Sequence, residues 1–229
     1  MTKRAFSMME LLTAICVIAA VVGLMTPFVD KFTKKDRTVL ALREIFETIS
    51  PATERYRKMD EPAQYWAWNT DSIYESSNAI LEKYILPMFE ESKRCNNVLL
   101  CVGGFMSMDN EEYVNYRQES DYARALVGKN DIHIALRSTG SCVPNVKDNL
   151  CGILVVDVDN KDGENKMGYD VFLFGFYGDG SFRPFGSDFP PEKIEGDCSK
   201  FTSGETCAAK IQRDNWVIKE TGEGQYPVH

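Results

Sequence analysis

Hydrophobic and polar positions divide the chain into two unlike parts. The segment 6–29 has 24 residues and one charged side chain, that of Glu10. As an α-helix it spans about 36 Å, which exceeds the roughly 30 Å of a bilayer core. This pattern predicts a membrane-spanning helix, preceded by the short segment 1–5 with the basic residues Lys3 and Arg4.

Three kinds of membrane-directed segment begin in this way, and two of them fit poorly. A secretory signal peptide ends in a small-x-small cleavage site, which residues 25–28 (MTPF) do not form. A lipoprotein signal has a small residue directly before its cysteine, whereas Ile15 precedes Cys16. We therefore favour a retained anchor. Its Glu10 costs about 2.5–3.5 kcal/mol near the middle of a membrane helix, unless the side chain snorkels to the headgroups or meets a partner.

Beyond the apolar segment, a three-to-four-residue period predicts that the helix continues as an amphipathic stretch over 30–58. Pro27 lacks a backbone N–H and is expected to kink or loosen the helix. The alternative is two separate helices broken at Pro27. The periodic apolar residues within 28–58 are Phe28, Phe32, Val39, Leu42, Ile45, Phe46 and Ile49.

The remaining residues, 59–229, have the patterns of a mixed head. A second helix is predicted from the N-cap Asp71-Ser72 to about Glu91. A long helix followed by a small antiparallel sheet is an α+β architecture. Alternation along one strand places His133 on the polar, solvent-facing side. Apolar or alternating runs predict strands over 98–102, 131–136, 152–158, 171–177 and 181–185.

An aromatic cluster occupies the connector 59–70 and consists of Tyr65, Trp66 and Trp68. It could form a contact surface for carbohydrate or another partner. Clusters of this kind more often cover a hydrophobic core, and we favour that interpretation.

Composition and charge exclude several classes of protein. With 34 acidic and 26 basic residues, the net charge of −8 argues against a general nucleic-acid binder. The two histidines, His133 and His229, are too few for most histidine-based metal centres. The sequence contains no G-x-S-x-G, P-loop, Rossmann or H-E-x-x-H motif, so no enzymatic activity is expected.

The first residues resemble the type IV pilin and pseudopilin family. The segment 3–5 (KRA) is followed by 6–12 (FSMMELL) and then by the apolar helix. The resemblance implies cleavage after Ala5, methylation of the new N-terminal residue Phe6, and an assembly role for Glu10 at the fifth mature position. Pro27 falls at the twenty-second mature position, where many pilins have a helix-bending proline. The family usually has glycine where this chain has Ala5.

This resemblance implies a pilin-like fold, with a leader over 1–5, an assembly helix over 6–29 and an outward-facing head. It implies a structural subunit of a type IV pilus or a type II secretion-like pseudopilus. The Glu10 carboxylate would pair with the amino terminus of Phe6 in a neighbouring subunit. The expected partners are other pilin subunits, a prepilin peptidase, the assembly platform and the membrane. The alternative is a membrane-anchored extracytoplasmic binding module that does not polymerise.

Of the seven cysteines, one lies in the apolar N-terminal helix and six lie in the head. Cys16 lies in the apolar helix, where it acts as a small apolar residue. An even number in the head suggests disulfides in an oxidising compartment, although buried free cysteines are an alternative. Six cysteines allow 15 connectivities, and the spacing does not select among them. Nearest-neighbour pairing is our working hypothesis. It pairs Cys95 with Cys101, Cys142 with Cys151, and Cys198 with Cys207.

The cysteines and the basic residues bear on location. Lys3 and Arg4 favour a cytoplasmic N-terminus, whereas the basic residues in 31–37 argue for the opposite orientation. Disulfides require an oxidising compartment for the head, so we favour an inner-membrane protein with its head outside the cytoplasm. Assembly would then place it in a periplasmic pseudopilus or a cell-surface pilus.

The loop between two predicted strands has many oxygen ligands suited to calcium. Its spacing departs from the EF-hand pattern, because Lys161 stands at the fifth position and Asp162 at the sixth, where glycine is needed. Some pseudopilins hold calcium in a loop of the sheet domain. The alternative is a polar hairpin whose residues serve turn geometry. The candidate ligands are Asp157, Asp159, Asp162, Asn165 and Asp170.

Overall fold

A computed structural model describes residues 8–95, 101, 103–115, 121–160, 165–199 and 202–219. Within the first helix, the description omits the side chains of residues 8, 10, 11 and 19–33. The chain divides into two compact units after Arg37, and the second unit begins at Thr38.

One long helix, α1, runs from Met8 to Lys58 without interruption, so the two-helix alternative is wrong. Its second half carries the expected apolar stripe: Leu42, Ile45 and Ile49 have no exposed surface. No helix of the described residues has a stretch of sufficient length and hydropathy for a membrane span. The predicted span 6–29 contains residues outside this description.

The second predicted helix is shorter than expected and changes its winding. It begins as α2 (Ile73–Ile80), where the Ser72 hydroxyl accepts a hydrogen bond from the backbone N–H of Glu75 at 3.3 Å. A π-helical turn over Leu81–Ile85 and a 3-10 turn over Leu86–Met88 follow. The irregular end coincides with Pro87, which cannot donate a backbone hydrogen bond.

A six-stranded antiparallel sheet forms the centre of the head, with strand order β1-β4-β5-β6-β7-β8. Four of the predicted strands are present within two residues of their expected bounds, and most of 98–102 lies outside the described residues. A separate hairpin pairs β2 with β3. The strands are β1 (Ser92–Arg94), β2 (Gly104–Met106), β3 (Tyr113–Asn115), β4 (Ala123–Val127), β5 (Ile132–Ser138), β6 (Leu150–Asp157), β7 (Val171–Tyr177) and β8 (Phe182–Pro184).

Both faces of this sheet are covered. On one face, Ile134 and Phe174 belong to the same buried cluster as Leu42 of α1. On the other face, Val155 and Leu173 belong to a second cluster with Phe105 of the β2–β3 hairpin. Two short helices, α3 (Pro191–Asp197) and α4 (Cys207–Arg213), complete the described head. The fold is therefore α+β, with an N-terminal helix against an antiparallel sheet.

The coverage of the second face makes the prediction for His133 wrong. His133 occupies the polar phase of β5, as expected, but only 1% of its surface is exposed. A residue on the polar side of an alternating strand is exposed only when that face of the sheet is open to water. Here the neighbouring disulfide between Cys95 and Cys101 lies against the imidazole, so the residue is enclosed.

Candidate functional site

The structure describes the predicted assembly residues only in part. Ala5 and Phe6 are outside the described residues. Glu10 and Pro27 are placed within α1, but their side chains are not described. The first turns of α1 expose large apolar side chains. Those of Met9, Leu12, Ile15, Val17 and Ile18 are each more than half exposed.

Three disulfides connect the cysteines of the head. The pairs are Cys95–Cys101, Cys142–Cys151 and Cys198–Cys207, with Cα–Cα distances of 5.9, 4.2 and 5.0 Å. These are the nearest-neighbour pairs. The last of them joins the end of α3 to the start of α4, and neither of its cysteines is exposed. Cys16 is a free, exposed cysteine.

Asp157 ends β6 and is the centre of the candidate cation site. Its Oδ1 accepts hydrogen bonds from the backbone N–H groups of Asp159 at 3.2 Å and Asn160 at 3.1 Å. Its Oδ2 is buried and has no hydrogen-bond partner among the described residues. Asn160 was not among the predicted ligands, yet its buried side-chain oxygen is likewise unpartnered in the described chain. Unsatisfied oxygen acceptors of this kind suit a hard cation.

The other predicted ligands are only partly brought together. Asp170 directly precedes β7, and its Oδ1 accepts a hydrogen bond from the backbone N–H of Lys166 at 2.6 Å. Asn165 uses its amide to donate to the Gly104 carbonyl oxygen at 3.2 Å. Asp162 lies outside the described residues. The site therefore centres on 157–160, and Asp170, directly before β7, contributes negative charge.

Electrostatics distinguish Asp157 from an ordinary surface aspartate. Burial raises its pKa from 3.8 to about 8, the charges of Asp159 and Asp170 act in the same direction, and two backbone N–H donors oppose them. The protonated form is therefore favoured near neutral pH. A bound cation would reverse this preference, because it stabilises the carboxylate.

The described residues contain one set of three side chains whose metal-binding atoms lie within 4.8 Å of one another, namely Cys95, Cys101 and His133. The two sulfurs are joined to each other, so they are not available as thiolate ligands. The described aspartates do not form such a set. Calcium at 157–160 would therefore draw on backbone carbonyls and water as well as side chains.

The aromatic cluster forms part of the core. Trp66 is 5% exposed and Trp68 is 1% exposed, which confirms the core interpretation for both. Trp66 stacks on Tyr84 with ring centroids 4.2 Å apart. Both indole N–H groups donate to backbone carbonyls. Tyr65 is 60% exposed and accepts a hydrogen bond from the Asn145 side chain at 3.0 Å, so one ring of the three faces solvent.

No protein-family model, curated protein or solved structure matches this chain. A function for it must therefore be argued from its own residues and their arrangement.

Proposed function

We propose that this chain is a structural subunit of a type IV pilus or a type II secretion-like pseudopilus. The observation that supports the proposal best is the N-terminal pattern: Lys3, Arg4 and Ala5, then Phe6, then Glu10, all leading into one long helix. Basic leader, phenylalanine, spaced glutamate and apolar helix occur together, which makes the resemblance specific although it covers about 30 residues.

The exposed apolar side chains of α1 give this resemblance a physical basis. Met9, Leu12 and Ile18 expose more than half of their surface in the isolated chain. Continuous apolar surface of this kind marks a contact with lipid or another protein. In the proposed sequence of events, lipid covers the helix first and neighbouring subunits cover it after assembly.

Glu10 supplies the register of this assembly. A charge buried among apolar helices is costly when alone and much less so when paired. After removal of residues 1–5, the amino group of Phe6 is a cation that a neighbouring subunit can offer to the Glu10 carboxylate. Only one axial offset between neighbouring subunits brings the two groups together. Subunits with any other offset leave the Glu10 charge unpaired, so the free-energy cost of that charge favours the one offset.

As a structural subunit, the chain performs no chemistry on a substrate, and we place it in the inner membrane with its head outside the cytoplasm. The helix lies in the inner membrane with its N-terminus in the cytoplasm, and the head lies outside. Three disulfides in the head support an oxidising compartment. A prepilin peptidase and an assembly platform are the implied partners.

Glu10→Ala tests the assembly role. The variant should enter the membrane at normal levels but form few filaments, because the pairing that fixes the axial offset is lost. Glu47→Ala is the matched control, since Glu47 lies on the same helix and forms an exposed ion pair with Arg43. Normal filaments from Glu10→Ala would contradict the proposal and favour the alternative, an anchored binding module that does not polymerise.

Calcium is the cofactor that we propose for the head. The side chains of Asp157 and Asn160 have oxygens without a hydrogen-bond partner among the described residues, and Asp159 and Asp170 add negative charge. The ion would stabilise the turn that follows β6. This role is structural and is independent of polymerisation.

A further inference from the structure

A second site lies on the face of the sheet opposite α1, where a pocket of about 170 Å³ separates the sheet from the β2–β3 hairpin. Its apolar part is formed by Ile153 and Val155 of β6, Leu173 of β7, Phe105 and Val114 of the hairpin, and Met167. These residues belong to the second buried cluster or pack against it. The pocket thus has an apolar interior built on rigid strands.

Two carboxylates line the solvent-facing side of this pocket, those of Glu112 and Glu205. Neither forms a hydrogen bond or an ion pair through its side chain with a described residue. The pKa of Glu205 is raised, first by burial and then by the negative charges of Asp197 and Glu112, while the positive charge of Lys193 acts more weakly in the opposite direction. Negative charge therefore predominates around Glu205.

The neighbouring Asp197 does not line the pocket, and both of its carboxylate oxygens already accept hydrogen bonds from the α3–α4 connection. Its Oδ1 accepts a hydrogen bond from the Ser203 hydroxyl at 2.7 Å, and its Oδ2 accepts one from the Thr206 backbone N–H at 2.8 Å. It contributes charge to the pocket while its oxygens hold the α3–α4 connection in place. Glu112 and Glu205 are the two carboxylates in the lining of the pocket.

Size and charge together define the occupant. A drug-sized ligand needs roughly 300–1,000 Å³, so this pocket suits a single long side chain. An apolar interior beside two carboxylates, in a region where negative charge predominates, complements an apolar stem that ends in a cation. We propose that the pocket binds a lysine or arginine side chain of a partner polypeptide, with its stem against Val155 and Leu173 and its cation between Glu112 and Glu205. This inference goes beyond the proposed function and does not depend on polymerisation.

The test uses the full chain in detergent, labelled with ¹³C in its methionine and isoleucine methyl groups. The probe is Nα-acetyl-lysine N-methylamide. Its matched control is the norleucine analogue, which has the same stem and no ammonium group. We expect the lysine probe to shift the Met167 and Ile153 methyl signals with a dissociation constant near 1 mM, on the order of one anchored side chain. The norleucine analogue should bind at least about tenfold more weakly.

Variants of the carboxylates complete the test. Glu112→Gln combined with Glu205→Gln should weaken binding of the lysine probe at least about tenfold. Glu111→Gln is the matched control, because Glu111 is an exposed neighbour that does not line the pocket, and it should leave binding unchanged. Equal binding of the two probes, binding unaffected by the double variant, or no shift of either methyl signal would each overturn the inference.

Discussion

His133 and Asp157 are paired directly across β5 and β6, and each exposes 1% of its surface. Burial moves their pKa values in opposite directions. The pKa of His133 falls from 6.5 to about 3, and that of Asp157 rises from 3.8 to about 8. Both side chains are therefore neutral at weakly acidic pH. In this pH range the two buried groups place no charge inside the sheet.

The first prediction concerns the pH dependence of stability. Between pH 3.8 and 6.5 the unfolded chain gains a proton at His133 while the folded chain keeps one at Asp157, so their effects cancel. From pH 6.5 to 8, only Asp157 differs in protonation between the folded and the unfolded chain, because the folded chain retains its proton and the unfolded chain has lost it. The free energy of unfolding should therefore fall by up to about 1.4 kcal/mol per pH unit in this range.

Urea unfolding in calcium-free buffer checks this prediction, with Asp157→Asn as the reference chain. Relative to this variant, the wild type should lose stability steadily from pH 4 to pH 8. The exposed Asp148→Asn serves as a control and should show no such trend. A constant difference between wild type and Asp157→Asn across this range would contradict the account of a buried, protonated carboxyl group.

The second prediction concerns calcium. Because the ion competes with the proton on Asp157, its affinity should increase as the pH rises through about 8. Calorimetric titration of the full chain at pH 6 and pH 8.5 measures this change directly. Asp157→Asn should abolish the binding heat. Absence of heat at millimolar calcium at both pH values would eliminate the site.

The third prediction concerns the disulfide between α3 and α4. Replacing both Cys198 and Cys207 by serine should lower the free energy of unfolding by about 2–3 kcal/mol, because the closed loop no longer restricts the unfolded chain. Cys16→Ser should have little effect, since Cys16 is exposed and unpaired. Urea unfolding followed by tryptophan fluorescence suits this comparison. An equal loss in both variants would refute the assigned role of the bridge.

The fourth prediction compares two leucines on α1. Leu42 is fully buried, whereas Leu40 is 64% exposed. Leu42→Ala should cost about 2–5 kcal/mol of stability, because it leaves a cavity against the sheet. Leu40→Ala should change stability by less than about 0.5 kcal/mol. Similar losses from both substitutions would mean that the amphipathic half of α1 does not pack as described.

The long strands β5, β6 and β7 and the short strand β8 were predicted from the sequence, whereas β1 to β4 were not. The run 171–177 coincides with β7, and 131–136 and 152–158 agree with β5 and β6 within two residues. Strands β1, β2 and β3 have three residues each, too few to display a period, and their pairing depends on distant parts of the chain.

Local sequence patterns also predicted only some of the residues of the candidate site. Asp157 was predicted from the density of acidic residues, whereas Asn160 became visible only when the turn placed its oxygen inside the protein. The burial of His133 depends on what covers the second face of the sheet, which the alternation of β5 does not encode. The pocket at Glu112 and Glu205 joins residues 93 positions apart, so no local pattern predicts it.

Under the proposed function, this chain is processed by a prepilin peptidase before it assembles as a pilin-like subunit. Mass spectrometry of the N-terminal peptide, from protein produced together with a prepilin peptidase, measures this processing. We expect residues 1–5 to be absent and the chain to begin with N-methylated Phe6. A chain that retains Met1, with Phe6 unmodified, would mean that it is not processed as a pilin.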